Sequence, residues 1–540
     1  MVERADNTDL VILSGAYIGD EMAAEFGSIP PSFLPLGGRR LFEHQAKLSK
    51  GNVYISLPED FDVPKVDQTR IDALSLKVVR VPKELSLRNS MQRVLRSLDL
   101  ANGVEILFGD TLIYGPCPDS KDLASFQNDP AHHYWSYFSD ENPIKPFVAG
   151  LGDGINERRI LCGHFRFSVS HALVDALEKA TDFVEALNLY DAQIPFKKCM
   201  VETWFDFGHL SLYYQSKRNF SVARAFNSIE ADGKTVRKSS AQTNKIRAEA
   251  GWYKNLPTEL KLFTPKYLGM DDRDYLAGYR MEYVYQPLLS DLSVFGKLPG
   301  NVWSQILGSC FEFLKIARQE KPQPGSPETA RQFSDDFFNY MYAEKTRNRL
   351  AAYLKAQNIQ PDTCYSLNGH KLPPVKEIVD LLLANIRPTE PADISFLHGD
   401  FFFGNTFFDF RSTNVTVIDP RAMLAGGAPS LFGDHRYDVA KLSHSIVGAY
   451  DHIINARSCL TKPTSFDWQF SPTDIQLPDG LEALMFETAL KTFGIGRIEL
   501  LSMTALLFFS MLPLHSDSTE RQEHLFANAL RLSICALELP

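Results

Sequence analysis

Residues 396–421, FLHGDFFFGNTFFDFRSTNVTVIDPR, carry two carboxylates and an amide at a spacing that suits phosphoryl transfer. An apolar lead presents His398, Gly399 and Asp400. Four residues intervene before Asn405, and Asp419 closes the alternating run that follows. Asp400 has the chemistry of a base or orienting carboxylate toward a hydroxyl. Asn405 and Asp419 have the chemistry to hold Mg²⁺ against the phosphates of a nucleotide. Phosphoryl transfer asks for little covalent chemistry, only a placed acceptor oxygen and metal ions that neutralise charge. The bland reading is a solvated acidic loop. Spacing, residue types and strand context all speak against it.

The order Asp, Asn, then Asp on the next strand resembles the catalytic loop and metal-binding Asp of protein kinases. Here His-Gly-Asp replaces His-Arg-Asp, and Ile418-Asp419-Pro420 replaces Asp-Phe-Gly. That variant is similar to the aminoglycoside phosphotransferase and choline kinase family of small-molecule kinases. The resemblance implies a bilobal kinase-like fold, ATP as phosphoryl donor and a small hydroxyl acceptor.

The elements that would position this loop lie upstream. Residues 226–257 read as two strands around an Asp-Gly turn, followed by a helix. Lys238 falls on the second strand and Glu249 on the helix. In the kinases such a lysine holds the α- and β-phosphates and is oriented by such a glutamate. Residues 275–292, YLAGYRMEYVYQPLLSDL, resemble the strand and hinge that carry adenine, with Met281, Glu282, Tyr283 and Val284 at the base edge. Residues 300–390 are helical in pattern, interrupted by a loop at 322–328. Within 433–453, Asp438 is expected to open a helix beneath the site, where a carboxylate stabilises exposed N–H groups. His435 and His444 read as packing or surface residues. The phenylalanines at 401, 402, 403, 407, 408 and 410 read as core, with a cation cage for choline as the alternative.

The first half has a different grammar. Strands at 10–14, 53–57, 77–81 and 105–113, with a helix at 91–100, predict a mostly parallel sheet covered on both faces. Ligands of such sheets sit beyond the carboxyl ends of the strands, where Gly15 and Asp110 fall. Residues 11–45, the FGDTLI segment, CGHFRFS (162–168) and ETWFDFGHLSLYYQSKR (202–218) resemble nucleotidyltransferases that activate sugar phosphates or phosphocholine. That resemblance implies a Rossmann-type sheet, Gly15 at the nucleotide, and Asp110 and Asp206 as Mg²⁺ ligands. It also implies a second nucleotide, CTP, UTP, dTTP or GTP, as nucleotidyl donor. The sequence departs from the pattern twice. No arginine stands in the loop SGAYIGDEM, and Ser32 replaces the usual lysine. Arg39, Arg40, Lys83, Arg88, Lys197 and Lys198 are the candidate replacements. Trp204 reads as a core or interface residue.

A chain of 540 residues exceeds one hydrophobic core. The expected division is a nucleotidyltransferase-like domain at 1–220 and a kinase-like domain at 221–540, with an N-lobe near 221–292 and a C-lobe near 293–540. Hydrophobic content of 44% with 23% charged residues is that of a globular protein, and a net charge of −10 argues against a nucleic-acid partner. Seven scattered cysteines fit reduced thiols and a cytoplasmic location. The apolar run at 500–514 contains Pro513 and reads as a core helix, so no membrane insertion is expected. Homo-oligomerisation is left open. These readings combine into a bifunctional enzyme. A kinase phosphorylates a sugar or amino alcohol, and a nucleotidyltransferase couples that phosphate to a nucleotide for surface polysaccharide or lipid assembly. The alternative is an active kinase carrying a degenerate binding or dimerisation domain.

Overall fold

The computed structural model describes residues 8–98, 103–115, 120–129, 135–140, 143–150, 158–220, 228–273, 276–323, 325–424, 427–474, 478 and 480–539. The sequence readings at 226–227, at 275 and at the start of the second domain, residue 221, therefore lie outside the described residues. The chain divides into two compact units, Met1–Ser221 and Val222–Pro540.

The first unit is mixed α/β and built on one large sheet. Its strands are β1 (Leu10–Leu13), β2 (Val53–Pro58), β3 (Leu76–Val81), β4 (Val104–Phe108), β5 (Thr111–Tyr114), β6 (Leu123–Asp129), β7 (Arg158–Phe167), β8 (Lys197–Met200) and β9 (Thr203–Asp206). The order β3-β2-β1-β4 is parallel throughout, and β7 then joins antiparallel. Strand β6 pairs with β7, and β8 runs parallel to β6. Strands β1, β2 and β4 are almost wholly buried, which is why they read as continuous apolar runs. Two sequence expectations are corrected here. The stretch 105–113 is two strands, because Gly109 and Asp110 turn between β4 and β5. Strand β5 leaves the large sheet to pair with β9. The helix expected at 91–100 runs Leu87–Arg96 (α1), since Ser86 caps it by accepting the Asn89 N–H at 3.3 Å.

The second unit opens with an antiparallel sheet of β10 (Ser228–Ala231), β11 (Thr235–Ser240), β12 (Tyr267–Met270) and β13 (Ala277–Glu282), in the order β10-β11-β13-β12. Asp232 closes the first hairpin by accepting the N–H groups of Lys234 and Thr235 at 2.8 and 2.7 Å. Those bonds hold its carboxyl down at about 2. Helix α2 (Thr243–Lys254) follows and buries Trp252.

The remainder is mostly helical. It includes α3 (Gly300–Gln319), α4 (Lys345–Ala356), α5 (His435–Ile446), α6 (Arg497–Met511) and α7 (Thr519–Leu537). Two short antiparallel pairs carry the site loops: β14 (Ile394–Phe396) with β17 (Phe432–Asp434), and β15 (Thr406–Asp409) with β16 (Asn414–Val417). The expectation of helix across 300–390 misses a small hairpin, Ser366–Leu367 with His370–Lys371. Its turn is Asn368-Gly369, both at positive φ. The segment Arg497–His515 is long and apolar enough to cross a membrane by length and composition, yet residues 500–512 are buried inside the protein. The described cysteines are all free thiols.

Candidate active sites

Hairpin register brings the kinase-like residues together. Thr406 pairs with Val417, so the Ile418 N–H reaches the Asn405 carbonyl at 3.0 Å and sets Asp419 beside the turn at 399–405. Asn405 donates its side-chain amide to the Asp400 carbonyl and to Asp400 Oδ2, both at 3.0 Å. That orientation leaves Asn405 Oδ1, an acceptor, for a cation. Asp419 sits at φ 58°, a left-handed conformation that costs an L residue about 1–2 kcal/mol. Its N–H donates to the Tyr253 hydroxyl at 3.3 Å, which helps to hold it there.

The turn that bears Asp400 is clamped from below. Asp438 accepts the His398 and Gly399 N–H groups, one on each carboxylate oxygen, both at 2.8 Å. Asp438 lies in the first turn of helix α5, which Asp434 caps through the Arg436 N–H. The N–H groups that Asp438 satisfies belong to the turn that bears Asp400. Burial pushes Asp438 up to about 7, with the two N–H donors pulling the other way. Burial also drives His398 down to about 4, so it is neutral, and the Asp400 N–H donates to its Nδ1 at 3.3 Å. Gly399 has φ 76°, and a Cβ there would lie 2.8 Å from the Cβ of Arg421. The phenylalanines of this stretch mostly form core rather than a cage. Phe401 stacks on Phe313 and Phe403 on Trp303.

Lys238 bridges two carboxylates. Its Nζ donates to Glu249 Oε2 at 2.8 Å and to Asp419 Oδ1 at 2.9 Å. The Tyr279 hydroxyl donates to the same Glu249 oxygen at 3.0 Å. Burial opposes charge on Lys238, but Asp419 and Glu249 outweigh it and hold the ammonium above its ordinary range. In the hinge segment, the Glu282 and Tyr283 N–H groups are taken by the Lys266 and Lys234 carbonyls at 2.9 Å each.

In the first unit, Asp110 and Asp206 converge beyond the carboxyl ends of β4 and β9. Asp206 pairs across from Thr111, and the Phe207 N–H donates to the Asp110 carbonyl at 2.8 Å. A Cβ placed on Gly208 would lie 2.4 Å from Asp110 Oδ2 and 3.3 Å from Asp206 Oδ1, so those oxygens are at most 5.7 Å apart, the sum of the two distances. Burial and the neighbouring Asp206 push Asp110 up to about 6. His209 Nδ1 lies 3.8 Å from Asp206 Oδ2, and that carboxylate raises His209 above its ordinary range. Both carboxylates line a cleft of about 560 Å³ together with Arg88, Trp135, Trp204 and His209. Among the described residues no three His, Cys, Asp or Glu side chains form a ready metal cage. Mg²⁺ is commonly held by one or two carboxylates with phosphate and water completing its shell, so Asp110 with Asp206, and Asp419 with the Asn405 amide oxygen, both fit that ion.

Gly15 is buried, and a Cβ there would lie 2.3 Å from Val81 Cγ2 and 2.9 Å from Ser90 Oγ, so close packing alone requires a glycine at this position. Ser32 is fully buried, with its N–H on Ser14 Oγ and its hydroxyl on the Gly109 carbonyl. Of the candidate replacement cations, Arg40 is locked to Asp67, Lys83 pairs with Asp60, and Lys198 lies over the Phe138 ring. Arg88 alone among the six lines the cleft, where it also donates to the Leu177 carbonyl.

Two contributors were missed in the sequence. Tyr279 orients Glu249, and Lys441 places Nζ 2.8 Å from Asp400 Oδ1. Lys441 left one signal: it is a lone cation in the helical run DVAKLSHSI.

Residues 230–458 match the phosphotransferase enzyme family, APH. The C-terminal region thus contains an APH phosphotransferase domain. No curated protein matches the chain. Similar solved structures include HddC from Yersinia pseudotuberculosis, at 16% identity over 40% of this chain and 100% of that one, TM-score 0.30. Another is the inositol-1-phosphate CTP transferase from T. maritima, at 12% identity over 40% of this chain and 99% of that one, TM-score 0.32. A third is an aminoglycoside-3'-phosphotransferase of type VIII, at 12% identity over 58% of this chain and 90% of that one, TM-score 0.31.

Proposed function

We propose that the APH phosphotransferase domain transfers the γ-phosphoryl group of ATP to a hydroxyl of a small molecule. The observation that carries this reading is the pair of linked contacts, Lys238 to Glu249 and Asp419, and Asn405 to Asp400. In this reading Lys238 holds the α- and β-phosphates, and Glu249 and Tyr279 keep it in place. Asn405 Oδ1 and Asp419 would hold Mg²⁺, which neutralises phosphate charge when bound. The acceptor oxygen attacks the γ-phosphorus, the bond to the β,γ-bridging oxygen breaks, ADP departs, and the hydroxyl proton passes to Asp400. Met281 to Val284 receive the adenine edge.

For the first unit the reading is nucleotidyl transfer to the phosphate so made. The phosphate oxygen attacks the α-phosphorus of a second nucleoside triphosphate, and pyrophosphate leaves. Asp110 and Asp206 would share the Mg²⁺ that brings the two anions together. The product is an activated donor of the kind used in polysaccharide or lipid assembly. A second reading, a binding module without catalysis, is favoured by the buried Ser32 and by the supply of one basic residue, Arg88, to the cleft among the six candidates.

The test of the kinase reading is Asp400→Asn in the full chain. ATP affinity should stay within about twofold while acceptor phosphorylation falls by about 100-fold or more, the scale of general-base loss. Unchanged turnover in that variant with a true acceptor would defeat the assignment.

A further inference from the structure

Asp400 stands at the edge of a group of cations. Lys441 is paired to it, Lys345 and Arg349 come from α4, and Arg421 follows Asp419 by two residues. Lys345 is 5% exposed, and its Nζ donates to the Tyr437 hydroxyl at 3.0 Å. Arg421 donates its N–H to the His398 carbonyl at 2.8 Å and its Nε to the Met423 carbonyl at 3.2 Å. Arg349 donates to the Ser510 carbonyl at 2.9 Å. These three side chains rest on a hydroxyl and on carbonyls, and none has a carboxylate within 4.0 Å among the described residues.

The four act on one another. Burial pushes Lys345 down to about 8, with Arg421 and Lys441 adding to the effect. Burial likewise lowers Arg349, and Arg421 adds to it. Burial alone would raise Tyr437, but Lys345, Lys441 and Arg421 together bring it down to about 8. Like charges gathered in a partly desolvated place are costly unless something opposite joins them. Arginine forks and lysine ammonium groups are the donors that recognise carboxylate and phosphate.

We propose that this cluster binds an anionic group, a carboxylate or a phosphate, on the acceptor whose hydroxyl is phosphorylated. The acceptor is therefore an anion, and neither an amino alcohol nor an aminoglycoside suits the site. The inference rests on the kinase reading, because Asp400 defines where the acceptor hydroxyl lies. The nucleotide phosphates are assigned elsewhere, to Lys238 on β11 and to the Asn405 and Asp419 pair.

The test titrates the full-length protein, saturated with AMP-PNP and Mg²⁺, with inorganic phosphate and separately with malonate. With ATP in place of AMP-PNP, ADP release is then compared for glycerol 3-phosphate, glycerate, glycerol and ethanolamine. At least one anion should bind, and the anionic alcohols should outpace the neutral and cationic ones. Arg421→Gln and Arg349→Gln, both at half-buried positions, should each weaken anion binding about tenfold, the loss of one charge-assisted hydrogen bond. Their AMP-PNP affinity should stay within about twofold of wild type on the same scale. Lys345→Gln gives a further variant if either arginine change impairs folding. The phosphate and malonate arms separate a phosphorylated acceptor from a hydroxy acid. Anion binding that is absent, or equal in the variants, overturns the inference and leaves the kinase reading intact. Anion binding that competes with AMP-PNP also overturns it, by assigning the cluster to the nucleotide. Failure to bind AMP-PNP at all defeats the kinase reading instead.

Discussion

Lys441 and Asp400 form an ion pair of 2.8 Å. Lys441 lies one turn of α5 beyond Asp438, which holds the His398 and Gly399 N–H groups, so one helix face fixes both the backbone and the side chain of the turn that bears Asp400. Burial works against charge on Lys441, but Asp400 outweighs it and keeps the ammonium above its ordinary range. The pair restricts Asp400 to one orientation, with Oδ1 on Lys441 and Oδ2 on Asn405.

Lys441→Met should therefore lower kcat by about 100-fold, the cost of a misplaced reacting group. ATP affinity should remain near wild type, and Lys441→Arg should recover part of the loss. Initial-rate kinetics in both variants check this. A change confined to KM for ATP would assign Lys441 to nucleotide binding.

Asp438→Asn tests the backbone clamp. An asparagine oxygen can accept one of the two N–H groups, and its amide would oppose the other donor. An unpaired buried N–H costs about 1–3 kcal/mol. A Tm fall of several degrees together with reduced kcat is expected by calorimetry and kinetics. An unaltered Tm would mean the two 2.8 Å bonds contribute nothing net.

Glu249→Gln tests the Lys238 pair. Glu249 is 1% exposed and Lys238 is 4% exposed, and removing one partner of such a buried pair costs about 3–5 kcal/mol. Asp419 remains to hold Lys238, so the loss should fall at the lower end of that range. The KM for ATP should rise while KM for the acceptor stays constant. Equal rises in both would argue against a phosphate-holding role for Lys238.

The readable part of the kinase site was the part encoded within one short stretch. Asp400, Asn405 and Asp419 share a loop and hairpin whose register follows from the strands around them. Lys238 and Glu249 lie on adjacent elements, β11 and α2, joined by a two-residue turn, so local periodicity could pair them. Lys441, Lys345 and Arg421 meet only through the packing of α4 and α5, which no local pattern reports. The packing of Gly15 was hidden for a related reason. Its sequence context is a glycine after a buried strand, and only the crossing of Val81 and Ser90 shows that no side chain fits there. The break at Gly109-Asp110 was visible as a turn dipeptide, but strand propensity on both sides hid it. In the first unit Asp110 was legible as a strand-end residue, and Asp206 through the resemblance of residues 202–218. The fate of the candidate cations was not, because Arg40 and Lys83 are claimed by distant Asp67 and Asp60.

The metal reading of the first unit makes a prediction with a definite pH dependence. Asp110 is raised to about 6 in the folded protein from an ordinary value of 3.8, by burial and by Asp206. A group raised in this way favours the folded state most at low pH, where it is protonated in both states. That advantage is lost as pH rises through 3.8 toward 6. Without metal, Asp110→Asn should therefore stabilise the unit at pH 8 relative to wild type, and the difference should shrink toward pH 4. Mg²⁺ reverses the sign of the problem, because two ionised carboxylates near each other are what the ion needs. Wild type should thus gain thermal stability from Mg²⁺ above about pH 6 and little below it. Asp110→Asn and Asp206→Asn should each lose that gain. With a nucleoside triphosphate and a phosphorylated acceptor present, the same variants should stop pyrophosphate release while ADP production by the other unit continues. Pyrophosphate release that persists in the double variant would remove these carboxylates from the reaction. A Mg²⁺ response that is present without pyrophosphate release in wild type would favour the non-catalytic binding module.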